Sequence, residues 1–190
     1  MRGNPTRIPV ALRMARAFLA NRLCVLDNPP ISVFAIARIE NEFMPAVFEF
    51  PLRVSDADLD EVIRHVNNLV YLKWMQSAAV AHSAVQGWPA ARYQELGAGW
   101  VVRSHQIEYL QAAFANDQIV VRTWVANLKK VTSLRRFKIV RLSEGKETLL
   151  AVAATDWAFI HFATHQPKRI PTEVASAFEV VPDFEVKEDK

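Results

Sequence analysis

The sequence predicts an α+β domain in which one antiparallel β-sheet wraps around one long central α-helix. Three observations predict it. A single stretch, about residues 67 to 86, carries apolar residues spaced by threes and fours. Four segments of strand-like pattern follow it, separated by short polar turns, and one strand-like segment precedes it. A sheet closing over one helix accounts for that order without an internal repeat or a second domain.

The first strand runs from Ala46 to Val54, and Pro51 within it points to a sheet edge or an irregularity. An acidic loop follows, from Ser55 to Arg64. The helix then places Val70, Tyr71, Trp74, Met75, Ala78, Ala81 and Val85 on one buried face, and Gly87 with Pro89 ends it. Ala78, Ala79, Ala81 and Ala84 allow strands to approach it closely. The later strands are Trp100–Leu110, Gln118–Leu128, Ser133–Leu142 and Leu149–Ile160. Asn116-Asp117, Lys129-Lys130 and Ser143-Glu144-Gly145-Lys146 supply the turns between them. A short last helix begins near Pro171-Thr172.

The chain has 190 residues, 51% apolar and 23% charged, as expected of a soluble globular domain with an appendage. Its one cysteine, Cys24, cannot form an intrachain disulfide, so a cytoplasmic protein is expected. The net charge of +3 lies wholly in residues 1–43, which hold six Arg against three acidic residues. The body from residue 44 onward is balanced, which argues against a nucleic-acid-binding face. The Arg-rich run around Ala11–Ala20 is too short and too charged to span a membrane. Residues 1–43 are therefore expected to be a basic extension, poorly ordered or upstream of a natural start at Met44, with a transit peptide as the other reading. Residues 181–190 form a charged tail.

The chemistry is concentrated in Asp58-Leu-Asp60-Glu-Val-Ile-Arg-His65-Val-Asn67-Asn68, followed by Leu69-Val-Tyr71. This order sets a carboxylate beside the positive N-terminal end of a buried helix. Such an end offers backbone N–H groups to a developing oxyanion, as attack on a polarised carbonyl requires.

The stretch resembles a family. Hot-dog-fold acyl thioesterases of the 4-hydroxybenzoyl-CoA thioesterase type carry Asp-x-x-Gly-His-Val-Asn-Asn-x-x-Tyr here. Plant acyl-ACP thioesterases carry a related Asp-Leu-Asp before His-Val-Asn-Asn. The likeness extends from about Ala46 to Phe178, through Trp100–Tyr109, Asp117–Val125 and Pro167–Pro171. It implies a hot-dog domain over residues 45–180 that hydrolyses acyl-CoA, or acyl-ACP, with water as acceptor and no cofactor. It also implies self-association as a dimer or tetramer with sites at the interface.

By that resemblance Asp60 is the catalytic carboxylate, as nucleophile or general base, with Asp58 as the alternative. The backbone N–H near Asn68 faces the thioester oxygen, and His65 shapes the loop. Asn67 and Asn68 also suit the helix cap. Tyr71, Trp74 and Met75 read as core, with Tyr71 a candidate for the acyl pocket. Arg135 and Arg136, in a cluster with Lys129, Lys130 and Lys138, are either a solvated strand edge or contacts for coenzyme A phosphates. His82 and His105 stand outside any metal-ligand pattern, and no metal is expected.

One departure from the family pattern stands out. Five steps, not four, separate Asp60 from His65, and Ile63-Arg64 replaces the glycine, so the loop is expected to take another path. The same spacing occurs in hot-dog enoyl hydratases, but their Gly, Asn and Pro are missing here. A non-catalytic acyl-CoA-binding module is the third reading.

Overall fold

The computed structural model describes residues 46–182, so the predicted extension and most of the tail lie outside the described residues. Strand β1 (Val47–Arg53) comes first, followed by a 3-10 turn at Asp56–Asp58. Helix α1 (Asn68–Val85) and a short helix α2 (Ala90–Leu96) come next. Strands β2 (Ala98–Tyr109), β3 (Gln118–Leu128), β4 (Thr132–Ser143) and β5 (Lys146–His161) lead to the last short helix, α3 (Thr172–Ala175). The strands form one sheet in the order β1-β3-β4-β5-β2, and every pairing is antiparallel.

The edges explain two features of the sequence. Pro51 has no N–H to donate, and it sits in β1, which among the described residues has a neighbour on one side only. The β4–β5 turn places Glu144 and Gly145 at φ 49° and 76°. Two consecutive left-handed residues fit the right-handed twist of a tight hairpin, and glycine takes that conformation without strain.

Helix α1 buries Val70, Tyr71, Trp74, Met75, Ala78, Ala79 and His82. Its buried side chains pack with Val121, Phe137, Ile139, Leu150 and Ala153 of the sheet, giving the hot-dog arrangement. Met75 and Ala78 are fully inaccessible. A second apolar cluster covers the C-terminal end of α1, with Trp88, Tyr93, Phe159, Val174 and Phe178.

The expected strands and the long helix all appear within a few residues of their predicted limits. Helix α2 was not anticipated. It occupies the gap between Pro89, its N-cap, and Gly97, whose φ of 64° closes it in the left-handed conformation. Strand β4 is central rather than an edge, so the reading of its cationic residues as a solvated strand edge is corrected: β3 and β5 flank it on both sides.

Candidate active site

The first turn of α1 is held from three directions. Asn67 caps it, its side-chain oxygen accepting the Leu69 N–H at 2.9 Å. The Asn67 N–H donates to the Asp58 carbonyl at 2.9 Å and the Val66 N–H to the Ala113 carbonyl at 2.8 Å. The Tyr109 hydroxyl donates to the Asn68 carbonyl at 3.1 Å. With Leu69 and Val70 satisfied by Asn67, the Asn68 N–H has no acceptor among the described residues. It is an exposed donor at the positive end of an 18-residue helix.

A cleft of about 200 Å³ opens at this point, lined by His65, Asn68, Tyr71, Tyr109, Leu110 and Gln111 among others. The His65 Nδ1 lies 2.9 Å from the Val66 carbonyl, to which it donates. Tyr71 is 2% exposed, and its ring meets that of Tyr109 edge-on at 5.2 Å. Burial raises the Tyr71 hydroxyl pKa, so the cleft wall stays neutral.

The loop of Asp60 to His65 is a small hairpin. Leu59 and Val66 bridge, the Asp60 N–H donates to the His65 carbonyl at 2.7 Å, and the Arg64 N–H returns to the Asp60 carbonyl at 3.1 Å. Asp60 Oδ1 accepts the N–H groups of Val62 and Ile63, both at 3.0 Å. The Ile63 N–H, then that of Val62, holds the Asp60 carboxyl below the usual carboxylate range, with His65 adding a smaller effect. Oδ2 has no protein partner among the described residues. Asp60 does not line the cleft itself, and its only tie to the cleft wall is the backbone bond to His65.

The extra loop residue is absorbed inside this turn. Arg64 itself adopts φ 62°, a conformation that favours glycine and costs a β-carbon-bearing residue about 1–3 kcal/mol. Its guanidinium reaches Asp56 at 3.4 Å, a weak exposed pair. The alternative carboxylate, Asp58, is occupied locally: its Oδ2 accepts the Ser55 N–H at 2.8 Å and the Ser55 hydroxyl at 2.7 Å.

The structure does not bring Arg135 and Arg136 together. They alternate along β4, with Arg135 on the face shared by Phe137 and Ile139. Arg135 is 6% exposed, its Nη1 donating to His82 Nδ1 at 2.9 Å and to Thr123 Oγ1 at 3.2 Å. Neither arginine lines the cleft at Asn68. The other lone histidine, His105, pairs with Thr155 Oγ1 at 2.9 Å.

Sequence reasoning gave no role to Tyr109 and Gln111. Tyr109 ends a strand-patterned segment that returns toward the helix start, the one signal that could have placed its hydroxyl there.

Comparison with known proteins fits this geometry. The family model described as the thioesterase-like superfamily matches residues 52–178. The acyl-CoA thioesterase YbgC of Haemophilus influenzae is 27% identical over 134 residues, which cover 69% of this chain and 93% of that protein. Among solved structures, Slr0204 from Synechocystis, a 1,4-dihydroxy-2-naphthoyl-CoA thioesterase, aligns with a TM-score of 0.62 and 17% identity. The match covers 69% of this chain and 94% of that one. SAV2348 from Staphylococcus aureus, solved in complex with CoA, gives a TM-score of 0.66 at 12% identity, over 76% and 94% of the two chains. At these identities the two structures establish the shared fold.

Replacing Asn67 by alanine removes the cap and should lower stability by about 1 kcal/mol. Urea unfolding checks this through a lower midpoint at unchanged slope. An unchanged midpoint would mean that water replaces the cap at no cost.

Proposed function

This chain belongs to the thioesterase-like superfamily, and from that premise we propose that it hydrolyses acyl-CoA thioesters to the free acid and coenzyme A. The observation that carries the reading is the unspent Asn68 N–H at the N-terminus of α1, opening on a cleft lined by Tyr71, Tyr109 and Gln111 among others. The thioester oxygen accepts from this N–H. As the carbonyl carbon becomes tetrahedral, the charge gathering on that oxygen is stabilised by the N–H and the helix dipole.

Asp60 supplies the carboxylate through Oδ2. Its lowered pKa keeps it ionised but makes it a weak base, which favours direct attack over proton abstraction from water. Attack forms a mixed anhydride and expels the coenzyme A thiolate, which takes up a proton from solvent. Water then cleaves the anhydride, regenerating Asp60 and releasing the acid. His65 anchors the hairpin and presents Nε2 to the cleft, and Tyr71 bounds the acyl group. Asn67 holds the turn that aims the donor. Of the two arginines, Arg136 is the one that contacts coenzyme A phosphate, because Arg135 faces inward.

The protein self-associates through β2. Among the described residues this 12-residue strand has a neighbour on one side only; it has no proline, and Val101 and Val102 are exposed. A long unguarded edge of this kind recruits another strand. Pairing two copies there sets the Tyr109 end of each β2 against its partner, so both cleft walls are completed across the interface. No helix among the described residues is long and apolar enough to cross a membrane, and we place the protein in the cytoplasm.

The Asp60→Asn variant keeps an oxygen for the Val62 and Ile63 N–H groups while removing the charge, so it separates chemistry from folding. Thiol release from a panel of short, long and aromatic acyl-CoAs should fall by about a hundred-fold or more, at unchanged thermal stability. A variant at full rate would take the carboxylate role away from Asp60. In the wild type, the rate should hold level from about pH 8 to pH 5 on the acid side, since the backbone N–H groups on the Asp60 carboxyl keep it ionised below the ordinary aspartate range. Light scattering should return a dimer or larger assembly at micromolar concentration, and a monomer would contradict the β2 pairing.

A further inference from the structure

A larger cavity lies elsewhere. About 400 Å³ opens between the C-terminal half of α1, α2 and the sheet, within the roughly 300–1,000 Å³ range of small-molecule sites. Trp88, Tyr93, Trp100, Leu128, Phe162 and Phe178 give it an apolar wall. It shares no lining residue with the cleft at Asn68. Its first contact on α1, Gln76, is about 12 Å further along the helix axis.

One wall residue does not fit an empty apolar space. Arg135 is 6% exposed and lines the cavity, yet no carboxylate among the described residues pairs with it. Its hydrogen-bond partners are one ring nitrogen and one hydroxyl, both on Nη1, and the Phe178 ring lies 5.9 Å from the guanidinium carbon. His82 accepts that bond on Nδ1 and is therefore neutral, so it offsets none of the charge. Desolvation pushes the guanidinium down to about 10, still far above neutrality, so the wall carries a full positive charge. A second donor has the same deficit: Trp157 lines the cavity, and its buried indole N–H has no acceptor among the described residues. The hydroxyls there are already matched: Tyr93 Oη takes the Trp100 indole N–H and meets the Ser83 hydroxyl, and the Ser133 hydroxyl donates to the Asn127 carbonyl.

Buried charges in proteins are paired. An apolar cavity whose buried cation meets no carboxylate among the described residues, with a spare donor beside it, suits an anion with a hydrocarbon body. We propose that this cavity binds an apolar carboxylate, its head on Arg135 and its chain along the aromatic wall. A medium-chain fatty acid meets both requirements and suits the volume. Such a ligand belongs to the same chemical class as the acid released in thioester hydrolysis. Binding there needs no turnover, so this assignment stands or falls separately from the thioesterase reading.

The test titrates full-length protein with decanoate and with decanol, its uncharged counterpart, following tryptophan fluorescence and heat. Decanoate should bind about ten- to a hundred-fold more tightly, the ratio set by one charge-assisted pair. Arg135→Met should abolish the preference while leaving decanol binding close to wild type. Val80→Trp fills the cavity from the exposed side of α1 and should weaken both ligands, which decides the matter if the Arg135 variant does not fold. Asp60→Asn should bind decanoate as the wild type does. Equal affinity for acid and alcohol overturns the proposal, as does a preference that survives Arg135→Met. A cavity already filled by the chain's own terminal segments would bind neither ligand, and that too overturns it.

Discussion

Everything around the cleft at Asn68 depends on how the first turn of α1 is held, because its backbone N–H groups have no acceptors within the helix. Asn67 takes two of them, through its side chain and its carbonyl, and leaves that of Asn68 open. The 3-10 turn, the segment at Ala113 and the end of β2 each add one hydrogen bond to the same few residues. A donor fixed this way does not reorganise as charge develops on a substrate oxygen. That rigidity makes oxyanion stabilisation strong. The core serves the same end: Tyr71, Trp74 and Met75 bind the helix to the sheet just behind the turn.

The two ends of α1 are electrostatically distinct. At the N-terminus a partial positive charge from the backbone faces solvent, with Asp60 in the hairpin that precedes it. Toward the C-terminus a full positive charge, Arg135, is enclosed among aromatic rings. The first arrangement suits a short-lived anion formed during reaction, the second a stable anion held at equilibrium. Both use the same scaffold, and neither requires the other.

Much of this was legible in the sequence. The helix declared itself because Val70, Tyr71, Trp74, Met75 and Ala78 repeat at its period, and the strands because polar turn residues separate their alternating patterns. The Asn67 cap was readable from its place before the apolar run. Helix α2 was hidden because seven residues after a proline offer too few turns for periodicity to register. The path of the Asp60 loop was also hidden. The left-handed Arg64 is imposed by the surrounding hydrogen bonds, so residue type gives no sign of it. Arg135 did leave a signal: Ser133, Arg135, Phe137 and Ile139 alternate onto one face of β4, which places the arginine inside. Reading the cationic residues as a group, rather than by face, concealed that.

The account's central claim is that the helix terminus at Asn68 polarises a thioester carbonyl, and vibrational spectroscopy reads that directly. Asp60→Asn protein bound to an acyl-CoA labelled with carbon-13 at the thioester carbonyl would be compared with free ligand by infrared difference spectroscopy. The account predicts a carbonyl stretch moved to lower frequency on binding, because hydrogen bonding and the helix dipole draw electron density toward oxygen. A bound carbonyl at the frequency of the free ester would contradict it and place the chemistry away from α1.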